Sequence, residues 1–221
     1  MSYSLSEENY LKAIFFLSLG SSQGVSTTDI ASRMETKASS VTDMVRKLSD
    51  KGCLNYKKYQ GARLTELGRE VAIRTIRKHR LWEVFLVEKL HFKWDEVHDI
   101  AEQLEHIKSG ELTDRLESFL GFPKFDPHGD PIPNKHGQFP SHSTQELSDF
   151  EPGDQVLITG VKDTSPEFLQ WLERQELHLG TGMIVREIFP FDQSVVVAIG
   201  DSNKTLSQLV AQNLFVKKIT P

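Results

Sequence analysis

Apolar residues recur at helical spacing through the first half of the chain and at strand spacing through its last third. In residues 6–19, Tyr10, Leu11, Ile14 and Phe15 mark the buried side of an amphipathic helix, with Ser6 as cap, Glu7 and Glu8 in the first turn and Gly20 as stop. After a turn over 21–24, Ser26 and Asp29 have the spacing of a capping box and open a short helix, TDIASRM. A break over 35–38 precedes SSVTDMVRKLSDKG, where Val41, Val45 and Leu48 form one stripe and Ser40, Thr42, Asp43, Arg46 and Lys47 lie on the other face; Gly52 ends it. Strand-like residues 53–59, a Gln60-Gly61 turn and residues 62–64 predict a hairpin. Thr65 then caps a long helix expected to reach Leu90. Its apolar positions (Val71, Ala72, Ile76, Leu81, Phe85, Leu86) exceed one stripe, as a helix with both core and subunit contacts requires. Further helices are expected over 94–108 and 111–120.

The pattern then changes. Residues 121–146 are dense in Pro, Gly and His and read as an extended linker; His128, His136 and His142 are irregularly spaced among turn residues and are not expected to bind metal. Beyond them, 154–160, 182–189, 194–199 and 214–219 alternate like short strands, with a helix over 166–175, as in a small SH3-like β-barrel. The expected order is a winged helix-turn-helix domain (1–66), a helical metal-binding and dimerisation domain (67–122), the linker (123–146) and the SH3-like domain (147–221).

Charge sharpens this picture. The net charge of −5 argues against a nucleic-acid partner, but its distribution reverses that: residues 1–80 carry +6 and the remainder −11. Two short helices around a tight turn, followed by a basic hairpin, read as a helix-turn-helix with a wing. Lys57, Lys58 and Arg63 on the wing, with Arg46 and Lys47, are the expected phosphate contacts; Ser39, Ser40, Thr42 and Asp43 are expected nearer base edges, and Thr27, Thr28 and Lys37 complete the candidate DNA surface. No apolar run approaches the roughly 20 residues of a membrane helix. A single cysteine, Cys53, excludes a disulfide framework and fits a reducing cytoplasm.

The richest chemistry lies between positions 79 and 106. His79 and Glu83 are one helical turn apart, and His98, Glu102, Glu105 and His106 fall within one quadrant of a second helix, with Ile100, Leu104 and Ile107 opposite. A solvated polar face would explain any one of these residues. Together they leave Glu102 and Glu105 as like charges with no Lys or Arg in that quadrant, which a divalent cation would relieve. Imidazole and carboxylate without thiolate suit Mn²⁺, Fe²⁺, Co²⁺ or Zn²⁺ rather than a structural zinc module.

The winged segment SSVTDMVRKLSDKGCLNYKKYQGARLTELG, the strings KHRLWE and VHDIAEQLEH, and the later FDPHGDPIP resemble the diphtheria-toxin-repressor family of metal-dependent transcription regulators, over essentially the whole chain. The resemblance implies a homodimeric repressor that binds palindromic double-stranded operator DNA when loaded with Mn²⁺ or Fe²⁺, with Zn²⁺, Co²⁺ or Ni²⁺ substituting in vitro. It implies neither a membrane partner nor a small-molecule substrate, and no enzymatic activity. One site would use Glu102, Glu105 and His106, completed from the first helix by Asn9, where relatives carry Asp or Met, or by Glu8; the other would use His79, Glu83 and His98, with Glu167 or the weaker Asp163 from the C-terminal domain. Lys12 stands where some manganese sensors carry a further Glu. The alternatives are a metal-dependent hydrolase, for which no unassigned general base is evident, and a metal-binding protein without a DNA role, against which the winged module argues.

Overall fold

The first helix begins earlier than the apolar pattern suggests, because Ser4 rather than Ser6 caps it. In the computed structural model, which describes residues 3–20, 23–57, 59–142 and 144–219, α1 runs Leu5–Ser18. The Ser4 hydroxyl accepts the Glu7 N–H at 3.3 Å and the Glu7 carboxylate accepts the Ser4 N–H at 2.8 Å, a reciprocal capping box. Then follow α2 (Thr27–Arg33), capped by Ser26 as expected, and α3 (Ala38–Asp50). Strands β1 (Leu54–Lys57) and β2 (Gly61–Leu64) form the antiparallel wing, joined by a bridge from Val25 to Ala62. Gly61 has φ +80°, and a Cβ there would stand 2.5 Å from the Val25 carbonyl oxygen, so the wing turn requires glycine. Helix α4 is continuous from Glu66 to Leu90, with α5 (His98–Leu104) and α6 (Gly110–Phe119) after it.

The chain divides into two compact units, the boundary falling within α4. One comprises residues up to 79 with 102–115 and 133–138. Its winged part packs α1 against α2, α3 and β2 around Leu11, Ile14, Ile30, Val41, Val45 and Leu48, all wholly buried. Each such side chain contributes about 1.5–3 kcal/mol through burial. The stripe Val41, Val45, Leu48 is therefore what turns the polar face of α3 outward.

The other unit comprises 80–101, 116–132 and 139–219 of the described chain. Here β3 (Gln155–Val161), β4 (Gly182–Ile188), β5 (Val195–Ile199), β6 (Ser202–Leu206) and β7 (Leu214–Lys218) form an antiparallel sheet in the order β6-β5-β4-β3-β7. Register shifts in β3 and β4 add twist, and α7 (Pro166–Arg174) and α8 (Gln208–Gln212) cover a core of Ile158, Leu169, Leu172, Val185, Val197 and Val216. Strand β6 and α8 were not evident from the sequence: SNKTL is polar and half exposed, so it lacks the alternation that marks a strand.

Two expectations are corrected. Helix α5 is half the predicted length, and Glu105 and His106 lie in the turn after it. Ala101 within it and the flanking Val97 and Glu105 are buried, whereas Ile107 is exposed, so the inward side carries the carboxylate. Second, much of the expected linker is folded. Asp126, His128, Gly129, Pro131, Ile132 and Pro133 are buried, and Phe125 bridges to Pro131. Gly129, at φ +90°, lies so close to β3 that a Cβ would come 2.2 Å from the Thr159 carbonyl oxygen. Among the described residues, no helix is long and apolar enough to cross a membrane.

Candidate metal centres and nucleic-acid interface

Glu105 is the centre of the first cluster. It is wholly buried, and its two oxygens lie 2.7 and 2.8 Å from the Lys12 ammonium. His79 Nδ1 donates to Oε2 at 2.6 Å. Lys12 also stands 3.4 Å from Glu102 Oε1. Burial alone would raise the Glu105 pKa; the hydrogen bond from His79 and the charge of Lys12 outweigh it and hold the carboxyl below its ordinary value. The sequence put no cation within the acidic quadrant of α5. Lys12 brings one from α1, 93 residues away, where spacing along one helix gives no sign of it.

His106 and Asn9 complete the group. His106 Nδ1 donates to Glu8 Oε2 at 2.6 Å, and its Nε2 lies 3.6 Å from Glu105 Oε1. Glu8 therefore orients this imidazole, the role that a carboxylate behind a metal-binding histidine plays. The Asn9 side-chain oxygen is buried without a hydrogen-bond partner. A buried carbonyl oxygen lacking a donor is what a bound cation would satisfy, so the donors present fit a hard divalent ion.

The second cluster lies around Glu83, one turn beyond His79 on α4. Ligand atoms of Glu83, Asp126 and His128 lie within 4.8 Å of one another, and all three residues are buried. His98, largely exposed, has Nδ1 3.6 Å from Glu83 Oε1. His128 Nε2 donates to the Trp94 carbonyl at 2.8 Å and its ring stacks on Trp94, which places Nδ1 3.8 Å from Glu83 Oε1. Asp126 Oδ1 accepts the N–H groups of His128 and Asp130, both at 2.9 Å. Arg80 anchors the turn through Asp130 Oδ2 at 3.0 Å and the Pro131 carbonyl. Burial first, then the charges of Glu83 and Asp130, push the Asp126 pKa well above its usual range, against the pull of Arg80. A buried carboxyl that resists ionisation beside buried Glu83, with an imidazole next to both, is a donor set that a divalent cation would satisfy.

Asp126 has no helical or strand spacing that marks it, and His128, contrary to the expectation for a linker histidine, lies in the cluster. The available signal was the motif FDPHGDPIP, an acid and an imidazole two residues apart in a turn closed by glycine. His136 and His142 are exposed. Asp163 Oδ1 accepts the Ser165 N–H at 2.8 Å ahead of α7, Glu167 is exposed in the first turn of α7, and neither belongs to the Glu83, Asp126 and His128 group.

On the winged domain, Thr28, Lys37, Ser39, Ser40, Asp43, Arg46, Lys47, Lys57 and Arg63 are exposed; Thr27 and Thr42 are half-buried, and Lys58 lies outside the described residues. The Thr42 hydroxyl donates to the Ala38 carbonyl at 3.0 Å, so it is engaged within α3. Lys47 is not a lone surface cation. It stands 3.2 Å from Glu7, which also holds Lys51 at 2.7 Å. Thus Glu7, Glu8 and Asn9, three successive residues of α1, serve α3, His106 and the orphan oxygen in turn.

Residues 3–62 match the family profile described as the N-terminal DNA-binding domain of iron-dependent repressors, residues 65–134 its metal-binding and dimerisation domain, and residues 145–218 the FeoA domain. The iron-dependent repressor IdeR of Mycobacterium leprae is 28% identical over 237 residues, an alignment spanning 96% of each chain. An uncharacterized HTH-type transcriptional regulator of Methanocaldococcus jannaschii is 37% identical over 117 residues, 53% of this chain and 94% of that one. Among solved structures, a manganese-dependent transcriptional repressor in complex with manganese superposes with a TM-score of 0.84 at 35% identity, covering 96% of this chain and 100% of that one. The manganese regulator SloR superposes with a TM-score of 0.74 at 31% identity, covering 99% and 100%. From its winged helix-turn-helix to its SH3-like C-terminal domain, this chain belongs to the diphtheria-toxin-repressor family of iron- and manganese-dependent regulators.

Proposed function

We propose that this protein is a metal-activated transcriptional repressor that binds palindromic operator DNA as a homodimer. The effector site is Asn9, Glu102, Glu105 and His106, with Glu8 holding His106. One observation carries the reading: α1 bears the orphan oxygen of Asn9 and, two residues earlier, the carboxylate that holds Lys47 and Lys51 of the DNA-reading module. An ion drawing Asn9 toward Glu102 and Glu105 would fix α1, and α1 would fix α3. Activation then requires only that the ion bind this arrangement better than a looser one. A second, supporting site would use Glu83, Asp126 and His128, with His79 and His98 as further donors. The exposed Phe119 and Phe122 offer apolar surface for dimerisation. The decisive experiment is a shift assay on the protein's own promoter fragment against Mn²⁺ and Fe²⁺ titrations; equal operator affinity with and without metal contradicts the proposal.

When bound, the ion supplies positive charge and a fixed coordination geometry that the carboxylates and imidazole must match. An oxygen-rich donor set favours ions that accept more than four ligands over tetrahedral Zn²⁺. Mn²⁺ or Fe²⁺ is therefore expected to give higher maximal operator occupancy than Zn²⁺ at saturating metal, and Glu102→Cys to move the order toward Zn²⁺. Full activation by Zn²⁺ with Mn²⁺ inert contradicts this.

The DNA surface is tested separately. Arg46 is exposed on α3. Arg46→Ala is expected to weaken operator and random DNA alike and to reduce the slope of log K against log salt by about one. A changed base preference with an unchanged slope would make Arg46 a base-reading residue instead.

A further inference from the structure

A cation already stands between the effector carboxylates. The Lys12 ammonium touches both oxygens of wholly buried Glu105, at 2.7 and 2.8 Å, and lies 3.4 Å from Glu102 Oε1. Lys12 is itself largely buried, with 14% of its side chain exposed, so water screens the contact little. With His79 on Oε2 as well, Glu105 has three donor contacts from the protein itself. A carboxylate has about four acceptor positions. An ammonium astride both oxygens excludes a metal ion from the same position, and two cations on one carboxylate repel.

We propose that Lys12 is the resident counter-cation of the effector site: metal binding is an exchange in which the ion displaces the ammonium from Glu105. This rests on the reading of Glu102, Glu105 and His106 as metal ligands. It has two consequences. The metal-free site stays assembled, because Lys12 ties α1 to residues 102–105 without an ion. The metal threshold is raised, because each ion must first break that tie.

The test is calorimetric titration of the full chain with Mn²⁺, alongside thermal melting of the metal-free protein. The effector step is identified as the binding step that Glu105→Gln removes. Lys12→Met is expected to bind Mn²⁺ at least about tenfold more tightly at that step while its metal-free form melts at a lower temperature. Lys12→Gln, which keeps a polar donor of similar length, is expected to do the same more weakly and covers the case in which Lys12→Met does not fold. Wild-type affinity in the Lys12 variants, with unchanged metal-free melting, overturns the exchange while leaving the effector reading in place. If neither wild type nor any Lys12 variant shows a step that depends on Glu105, the effector reading falls and the exchange with it.

Discussion

Glu105→Ala is expected to abolish metal-dependent operator binding and to lower the stability of the metal-free protein by about 3–5 kcal/mol, the range for breaking a buried ion pair from one side. Glu105 is wholly buried and holds Lys12 at 2.7 Å and His79 at 2.6 Å, with His106 Nε2 3.6 Å away. Removing its carboxylate leaves a buried ammonium without its main partner and an imidazole N–H without an acceptor. Glu105→Gln separates the two effects: the amide keeps the volume and an acceptor oxygen, so stability recovers in part, while the charge that an ion needs is absent. Urea unfolding without metal, followed by shift assays with Mn²⁺, distinguishes them. A Glu105→Ala protein within about 1 kcal/mol of wild type would mean that the site relaxes without Glu105, against the 3–5 kcal/mol expected of a buried pair.

The second large effect is at Glu7 and depends on pH. Burial would raise its pKa, but the Lys51 ammonium, the Ser4 N–H and Lys47 outweigh burial and lower it from the ordinary 4.5 to about 2. Because the folded-state value is depressed, the stabilisation is fully present above about 4.5 and is lost as pH falls from there through about 2. At about 1.36 kcal/mol per pKa unit the shift sets an upper bound of about 3 kcal/mol at neutral pH, and solvent screening at exposed Lys47 and half-buried Lys51 reduces the pairing to about 1–2 kcal/mol. Glu7→Gln is therefore expected to be less stable than wild type by that order at pH 7 and to converge with it near pH 2. A stability gap that stays constant over that range would locate the effect in packing rather than in the charge. The residue matters beyond stability, because it joins α1 to Lys47 and Lys51 and so connects the proposed effector site to the reading helix.

Local features of the chain were legible because local rules govern them. Ser26 capping α2, the Val41, Val45, Leu48 stripe of α3, the hairpin after α3 (its turn ending at Gln60, with Gly61 already in β2) and the one-turn spacing of His79 and Glu83 each follow from a few adjacent residues. So do the strands that alternate cleanly, whereas polar β6 gave no such signal.

What the sequence determined by itself was therefore most of the helices and the cleanly alternating strands, the basic winged module and the residue types able to hold a hard divalent ion. The tertiary structure decided which of those residues meet. Lys12 reaches Glu105 across 93 positions, Glu8 rather than solvent accepts the hydrogen bond from His106 Nδ1, and a supposed linker brings Asp126 and His128 to Glu83. Helix α5 stops before Glu105 and His106, whose side chains are held by Lys12, His79 and Glu8. The physical reason is common to all of these. Helical and strand periodicities are set by backbone geometry over a few residues. The partner of a buried charge is set by packing, which brings together whichever distant groups can neutralise it, because a buried charge left unpaired is too costly to persist.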